Sequence, residues 1–198
     1  MGTVNQQEWN TEVSEIDAKR GILSNPANNL SCTHYKENLM KTESIKLNEL
    51  LEQSRTRLLK LSESQVSAKP YDEKWSLKEI LGHLIDSAGN NHQRFVRMQE
   101  KRDIGTFIYS QQHWVSAQRY QNEPWNALVE TWYHINKHLA HVIEHIDPAT
   151  LTNTCDVGDP QPATLQSIVT GYLRHVQHHI DQIFSDADPR QRSNWKQV

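Results

Sequence analysis

Four stretches of the chain repeat apolar residues at the three-and-four spacing of a helix that buries one face. The first runs from about Thr42 to Ser64, with Leu47, Leu50, Leu51, Leu58 and Leu61 as its stripe. The second opens at Ser76 and carries Leu77, Ile80, Leu81, Leu84, Ile85, Ala88 and Phe95 toward Arg102. Its start is marked by Ser76-Leu77-Lys78-Glu79, a capping box in which Ser and Glu satisfy each other's free backbone donors. The third follows Pro124, a residue suited to a first helical turn. Its seam is Trp125, Leu128, Trp132, Ile135, Leu139, Val142 and Ile146, and it stops at Asp147-Pro148. The fourth covers about Thr164 to Ser185, with Leu165, Ile168, Val169, Tyr172, Val176, Ile180 and Ile183 on one face. No segment alternates as a strand does. Four helices of this length predict an all-α protein, a four-helix bundle.

The connections carry their own information. Ser67 to Trp75 and Leu151 to Pro162 read as loops, each broken by proline. Asp103 to Glu123 is long for a compact domain and rich in aromatics: Phe107, Tyr109, Trp114 and Tyr120. A connection of that length needs a function, a crossover or a helix of its own, and Trp114 to Tyr120 is the candidate helix. Residues 1–40 form a polar, loosely held extension with only a thin helical pattern over Glu8 to Arg20. The bundle is expected over 41–187, and 188–198 is a polar tail.

Composition narrows the function. At 198 residues the chain makes one domain with an extension. The mean hydropathy of −0.77 demands a strongly polar surface. A net charge of −3 leaves no basic footprint for nucleic acid. No run of 18 apolar residues is present, so no membrane span is expected, and the first residues lack the apolar core of a secretory signal. Cys32 and Cys155 fit no metal or redox spacing, so a reducing cytoplasm is the expected location.

Eleven histidines are the chemistry that stands out. His175 and His179 are four residues apart at the edge of the fourth helix's apolar face, so their rings sit one above the other. His83 lies at the margin of the second helix's face. Packing those two faces together brings three imidazoles into one cavity, where they can hold a divalent transition metal and leave a position for water or substrate. On spacing alone the i, i+4 pair fits surface histidines as well. His134, His138, His141 and His145 also follow helical spacing, but on the side of the third helix away from its seam, as a solvent-facing stripe. His92 is expected to pack, and the role of His113 is open. Asp86, one turn after His83, is a candidate to orient a ligand histidine, to act as a base, or to remain an exposed helix charge. Tyr172 and Asn136 are candidates to line the cavity, and Trp114 to wall it.

The segment Trp75-Ser76-Leu77-Lys78-Glu79-Ile80-Leu81-Gly82-His83-Leu84-Ile85-Asp86-Ser87 resembles the second-helix signature of the DinB/YfiT-like superfamily. His175-Val176-Gln177-His178-His179-Ile180-Asp181-Gln182-Ile183 is similar to its fourth-helix HxxxH element. Tyr109, Gln112, Trp114, Val115, Trp132 and Asn136 extend the similarity, which covers about 42–186. The resemblance implies a four-helix bundle with a long crossover between helices two and three. It implies a site for nickel, zinc or iron, with His83, His175 and His179 as ligands by motif position. It also implies a metal-dependent enzyme acting on a small molecule, either a hydrolase or a thiol S-transferase with a low-molecular-weight thiol as cosubstrate. The rival is a non-catalytic metal-binding or stress-interaction bundle. A homodimer is the candidate assembly; neither nucleic acid nor membrane is an expected partner.

Overall fold

The computed structural model describes residues 26–69, 71 and 74–188. The helical pattern over Glu8 to Arg20 and the tail beyond Asp188 lie outside the described residues. In chain order the elements are α1 (Pro26–Leu58), α2 (Glu63–Ser67), α3 (Leu77–Glu100), β1 (Asp103–Thr106), α4 (Gln111–Gln118), a 3-10 turn (Tyr120–Asn122), α5 (Trp125–Glu144), a second 3-10 turn (Pro148–Thr150), β2 (Thr154–Asp156), β3 (Ala163–Thr164) and α6 (Leu165–Ala187).

The four long helices α1, α3, α5 and α6 make the bundle. Helix α5 packs on both α1 and α3, and α6 packs on both α3 and α1, which leaves α1 and α3 at opposite corners. The buried residues confirm most of each predicted face. Leu47, Leu51 and Leu58 of α1 meet Leu128, Trp132 and Leu139 of α5, Leu81, Leu84 and Phe95 of α3, and Val169, Val176 and Ile183 of α6 in one apolar cluster. Leu50, Leu61, Ile85, Ile135 and Val142 are only partly buried at its edge. Tyr172 meets Phe95 edge-on, with ring centres 5.8 Å apart.

The structure differs from the sequence reading at both ends of the first helix and in a small sheet, and the candidate helix Trp114 to Tyr120 lies earlier, as α4 over Gln111–Gln118. The first bundle helix begins at Pro26, so it runs through position 40 without a break, and Met40 is buried in the core. Its far end comes early, at Leu58, because Ser62 and Gln65 form a capping box that starts the short α2. That signature was hidden inside a stretch whose leucines kept helical spacing. The third difference is a small sheet: β1 runs parallel to β2, and β2 antiparallel to β3, with Asp103 opposite Thr154 and Cys155 opposite Ala163. Strands of two to four residues are too short to show alternation.

The predicted capping box holds, while Pro124, expected in the first turn of the third long helix, stands just before it as the N-cap of α5. Ser76 accepts the Glu79 amide at 3.2 Å and Glu79 accepts the Ser76 amide at 2.8 Å, which fixes the start of α3. Thr164 caps α6 through the Ser167 amide at 3.2 Å. The long connection from α3 to α5 is structured throughout. Lys78 Nζ, buried and paired with Glu63, also donates to the Glu123 carbonyl at 2.7 Å and so fastens the end of the connection to α3. At Gly82 the ring of Tyr120 lies flat on the helix backbone, where any Cβ would overlap it. Among the described residues no helix is long and apolar enough to cross a membrane.

Candidate metal centre

Helices α3 and α6 bring His83, His175 and His179 together. One ring nitrogen from each lies within 4.8 Å of the others. The Nε2 atoms of His83 and His175 are 3.1 Å apart. Two imidazole nitrogens on one tetrahedral zinc, at about 2.0 Å each, would stand about 3.3 Å apart. The ring centres are separated by 5.1 Å (His83 to His175), 5.1 Å (His83 to His179) and 4.6 Å (His175 to His179), each pair edge-on. His83 is 1% exposed, with Trp75 tilted against its ring at 5.3 Å.

Burial makes these histidines bases without protons. Loss of water lowers the pKa of His83 to about 3, and the neighbouring His179 adds to the fall. His175 is pushed well below the ordinary histidine value, first by burial and then by His83, His179 and His178. Burial also lowers His179, against a smaller opposing effect of its bond to Gln182. Three neutral imidazoles converging on one point are the donor set a divalent transition metal requires.

Two of the three outer nitrogens are also placed. His179 Nδ1 faces Gln182 Oε1 at 2.9 Å. An amide oxygen only accepts, so Nδ1 carries the proton and Nε2 keeps its lone pair for the centre. His175 Nδ1 faces Ser87 Oγ at 3.4 Å. The Tyr109 phenol bonds to Ser87 in turn. Such outer partners orient ligand histidines, and the residues fit a metal on that ground. Among the described residues the group has three members, with no fourth histidine, cysteine or carboxylate in reach. Gln182→Leu should weaken zinc or nickel binding by about 10–100-fold with no change in helix content. Titration with a competing chelator measures it, and unchanged affinity would show that Gln182 does not hold the ring.

The other candidate residues separate into groups. Asp86 is buried, and its Oδ1 accepts from the Tyr120 hydroxyl at 2.6 Å and from Gln118. Its hydrogen bonds therefore go to the connection between α3 and α5, while Ser87 and Gln182 meet the histidines. It is not an exposed helix charge, and burial raises its pKa. The Tyr172 hydroxyl donates to Asn136 Oδ1, and Asn136 Nδ2 donates to the Trp132 carbonyl at 2.8 Å. These two polar groups satisfy each other inside the core. Trp114 stands at the surface, edge-on to Tyr109 at 5.4 Å. His134, His138, His141 and His145 are exposed along α5, as their spacing predicts, and His92 packs edge-on against His138 at 5.1 Å. His113 is exposed on α4.

Sequence reading missed Ser87, Tyr109 and Gln182 as parts of the centre, and Gln118 and Tyr120 as the partners of Asp86. Ser87 lies four residues after His83 and Gln182 three after His179, so helical spacing was the available signal for both.

A bundle whose second and fourth long helices deliver a histidine trio defines a class of helical proteins with a group that could hold a metal ion. Residues 47–183 match the DinB superfamily, and the chain belongs to it. No curated protein and no solved structure matched the chain.

Proposed function

We propose that the protein is a metal-dependent enzyme that transfers a low-molecular-weight thiol to a small electrophile at the centre formed by His83, His175 and His179. The observation that carries this is the set of three neutral, converging imidazoles with no fourth protein ligand among the described residues. Such a set leaves room for an exogenous ligand. A zinc, nickel or iron ion held there supplies Lewis acidity, which favours the deprotonated form of a thiol or water.

Among the described side chains the one cysteine points to a thiol that comes from outside. Cys155 is fully buried on β2, and burial raises the pKa of its thiol, which makes it a poor nucleophile. Asp86, one turn beyond His83, is the group we assign to take up the proton that a thiol releases. Tyr109 and Trp114 supply an aromatic wall beside Ser87 for the electrophile. In the reaction a carbon–sulfur bond forms as a carbon–halogen or equivalent bond breaks, with halide leaving.

Metal-loaded protein should accelerate conjugation of a small thiol to monochlorobimane or a haloalkane. His179→Ala should return the rate to background, and Cys155→Ser should leave it nearly unchanged. Loss of activity in Cys155→Ser with metal retained would overturn the cosubstrate. Metal-dependent ester or amide cleavage without any thiol transfer would instead assign a hydrolase.

A further inference from the structure

Helix α3 carries a second, unusual face. His83, Asp86, Ser87, Asn90, Asn91 and Arg94 are all buried. At about 100° per residue they fall within one arc, and Arg94 stands almost in line with His83 three turns further on. A bundle helix needs no buried polar stripe for stability, and each such group costs free energy unless it is bonded. The partners of this stripe are incomplete. Of the four buried side-chain atoms without a hydrogen-bond partner among the described residues, three lie on it: His83 Nδ1, Asp86 Oδ2 and Arg94 Nε.

Arg94 is the most demanding member. It is 5% exposed, and among the described residues its hydrogen bonds go to neutral acceptors. Nη2 donates to the Phe107 carbonyl at 2.6 Å and Nη1 to Asn91 Oδ1 at 3.3 Å. The guanidinium also lies 5.5 Å from the centre of the Phe107 ring. Cys155, Tyr109 and, more weakly, Asp159 favour its charged form, but burial outweighs them. A guanidinium remains charged in a protein, and its Nε edge is one of those that can fork a carboxylate. Ser87, bonded to both His175 and Tyr109, lies between this cation and the histidine trio.

We propose that Arg94, held in place by Asn91 Oδ1, binds the carboxylate of the ligand whose reacting end sits at the three histidines. This rests on the function proposed above and names its ligand class: an anionic thiol, or its conjugate, long enough to reach both ends of the stripe. The Cα atoms of His83 and Arg94 are about 16 Å apart along the helix. The Arg94 side chain leans back toward the N-terminus and shortens that span. A ligand of tripeptide size has that reach, whereas a two-carbon thiol does not.

The test is titration calorimetry on the full chain with glutathione, glutathione diethyl ester, and S-methylglutathione, whose sulfur cannot become a thiolate. Metal-loaded protein should bind glutathione at least about tenfold more tightly than the ester. Arg94→Gln should remove that preference while metal content and ester binding stay as they were. Arg94→Lys keeps the charge and loses the fork; it should lose most of the preference, and it replaces the glutamine variant if that one does not fold. Equal affinity for glutathione and its ester in the unaltered protein would overturn the proposal, as would an intact preference in Arg94→Gln. S-methylglutathione separates this proposal from the thiol-transfer reading. Arg94-dependent binding of it in a protein with no transfer activity would sustain the carboxylate site while the transfer reading fails. Failure of both glutathione and S-methylglutathione to bind at millimolar concentration would sink the carboxylate site.

Discussion

His83→Ala is expected to lower the affinity for zinc or nickel by more than about a hundredfold, since the loss of an outer partner alone costs 10–100-fold. His83 is the member of the trio contributed by α3, and its Nε2 is the atom nearest the α6 pair. Without it, His175 and His179 form a two-ligand surface site on one helix. The fold should survive, because the apolar residues on either side, Ile80, Leu81 and Leu84, still hold α3 in the cluster. Mass spectrometry of the purified variant under non-denaturing conditions checks this. A full complement of metal in a folded His83→Ala protein would remove α3 from the centre.

Acid should destabilise the metal-free protein as the pH falls below 6.5. The pKa of His83 is lowered from 6.5 to about 3, and those of His175 and His179 are lowered too, with burial as the main cause in each. In the unfolded chain these groups accept protons near pH 6.5, and in the folded chain they do not. The unfolded state therefore binds more protons below pH 6.5, and stability falls as pH falls. Each proton withheld costs about 1.4 kcal/mol per pH unit. His83 alone then removes about 2 kcal/mol between pH 6.5 and 5, and its contribution ends near its folded value. Urea unfolding of the chelator-treated protein across this range measures the slope. The double variant His83→Leu/His175→Leu should flatten it. Bound metal should oppose the loss until protons displace it from the ligands. A flat profile from pH 7 to 5 in the metal-free protein would mean that the trio is open to water.

The fold was legible because its main helices follow one rule. Leu128, Trp132 and Leu139 repeat at the interval that buries one face, and each is fully buried. Ser76 and Glu79 announced the start of α3 and form both bonds of the capping box. Short elements were not legible, because a strand such as Ala163–Thr164 holds no period at all. The break at Leu58 was masked for a different reason: Leu61 keeps the spacing of α1 while packing from beyond its end.

The three histidines were legible as rim residues of two apolar faces, and the resemblance joined them. Their environment was not. Asp86 had the spacing of an orienting carboxylate, yet Tyr120, admitted by the bare backbone of Gly82, draws it toward the connection. Tyr109 reaches Ser87 only because β1 and β2 fold that connection back over α3. Contacts set by a distant loop leave no local pattern, whereas Gln182 beside His179 follows from helical geometry alone.

The most direct test of the metal centre is X-ray absorption spectroscopy on purified protein, with metal content measured on the same sample. One divalent ion per chain is expected, with three imidazole nitrogens at about 2.0–2.1 Å for zinc and at least one further light ligand that exchanges when a thiol is added. A centre closed by four protein ligands, or protein reconstituted with zinc, nickel and iron(II) in turn that retains none of them, would contradict that expectation.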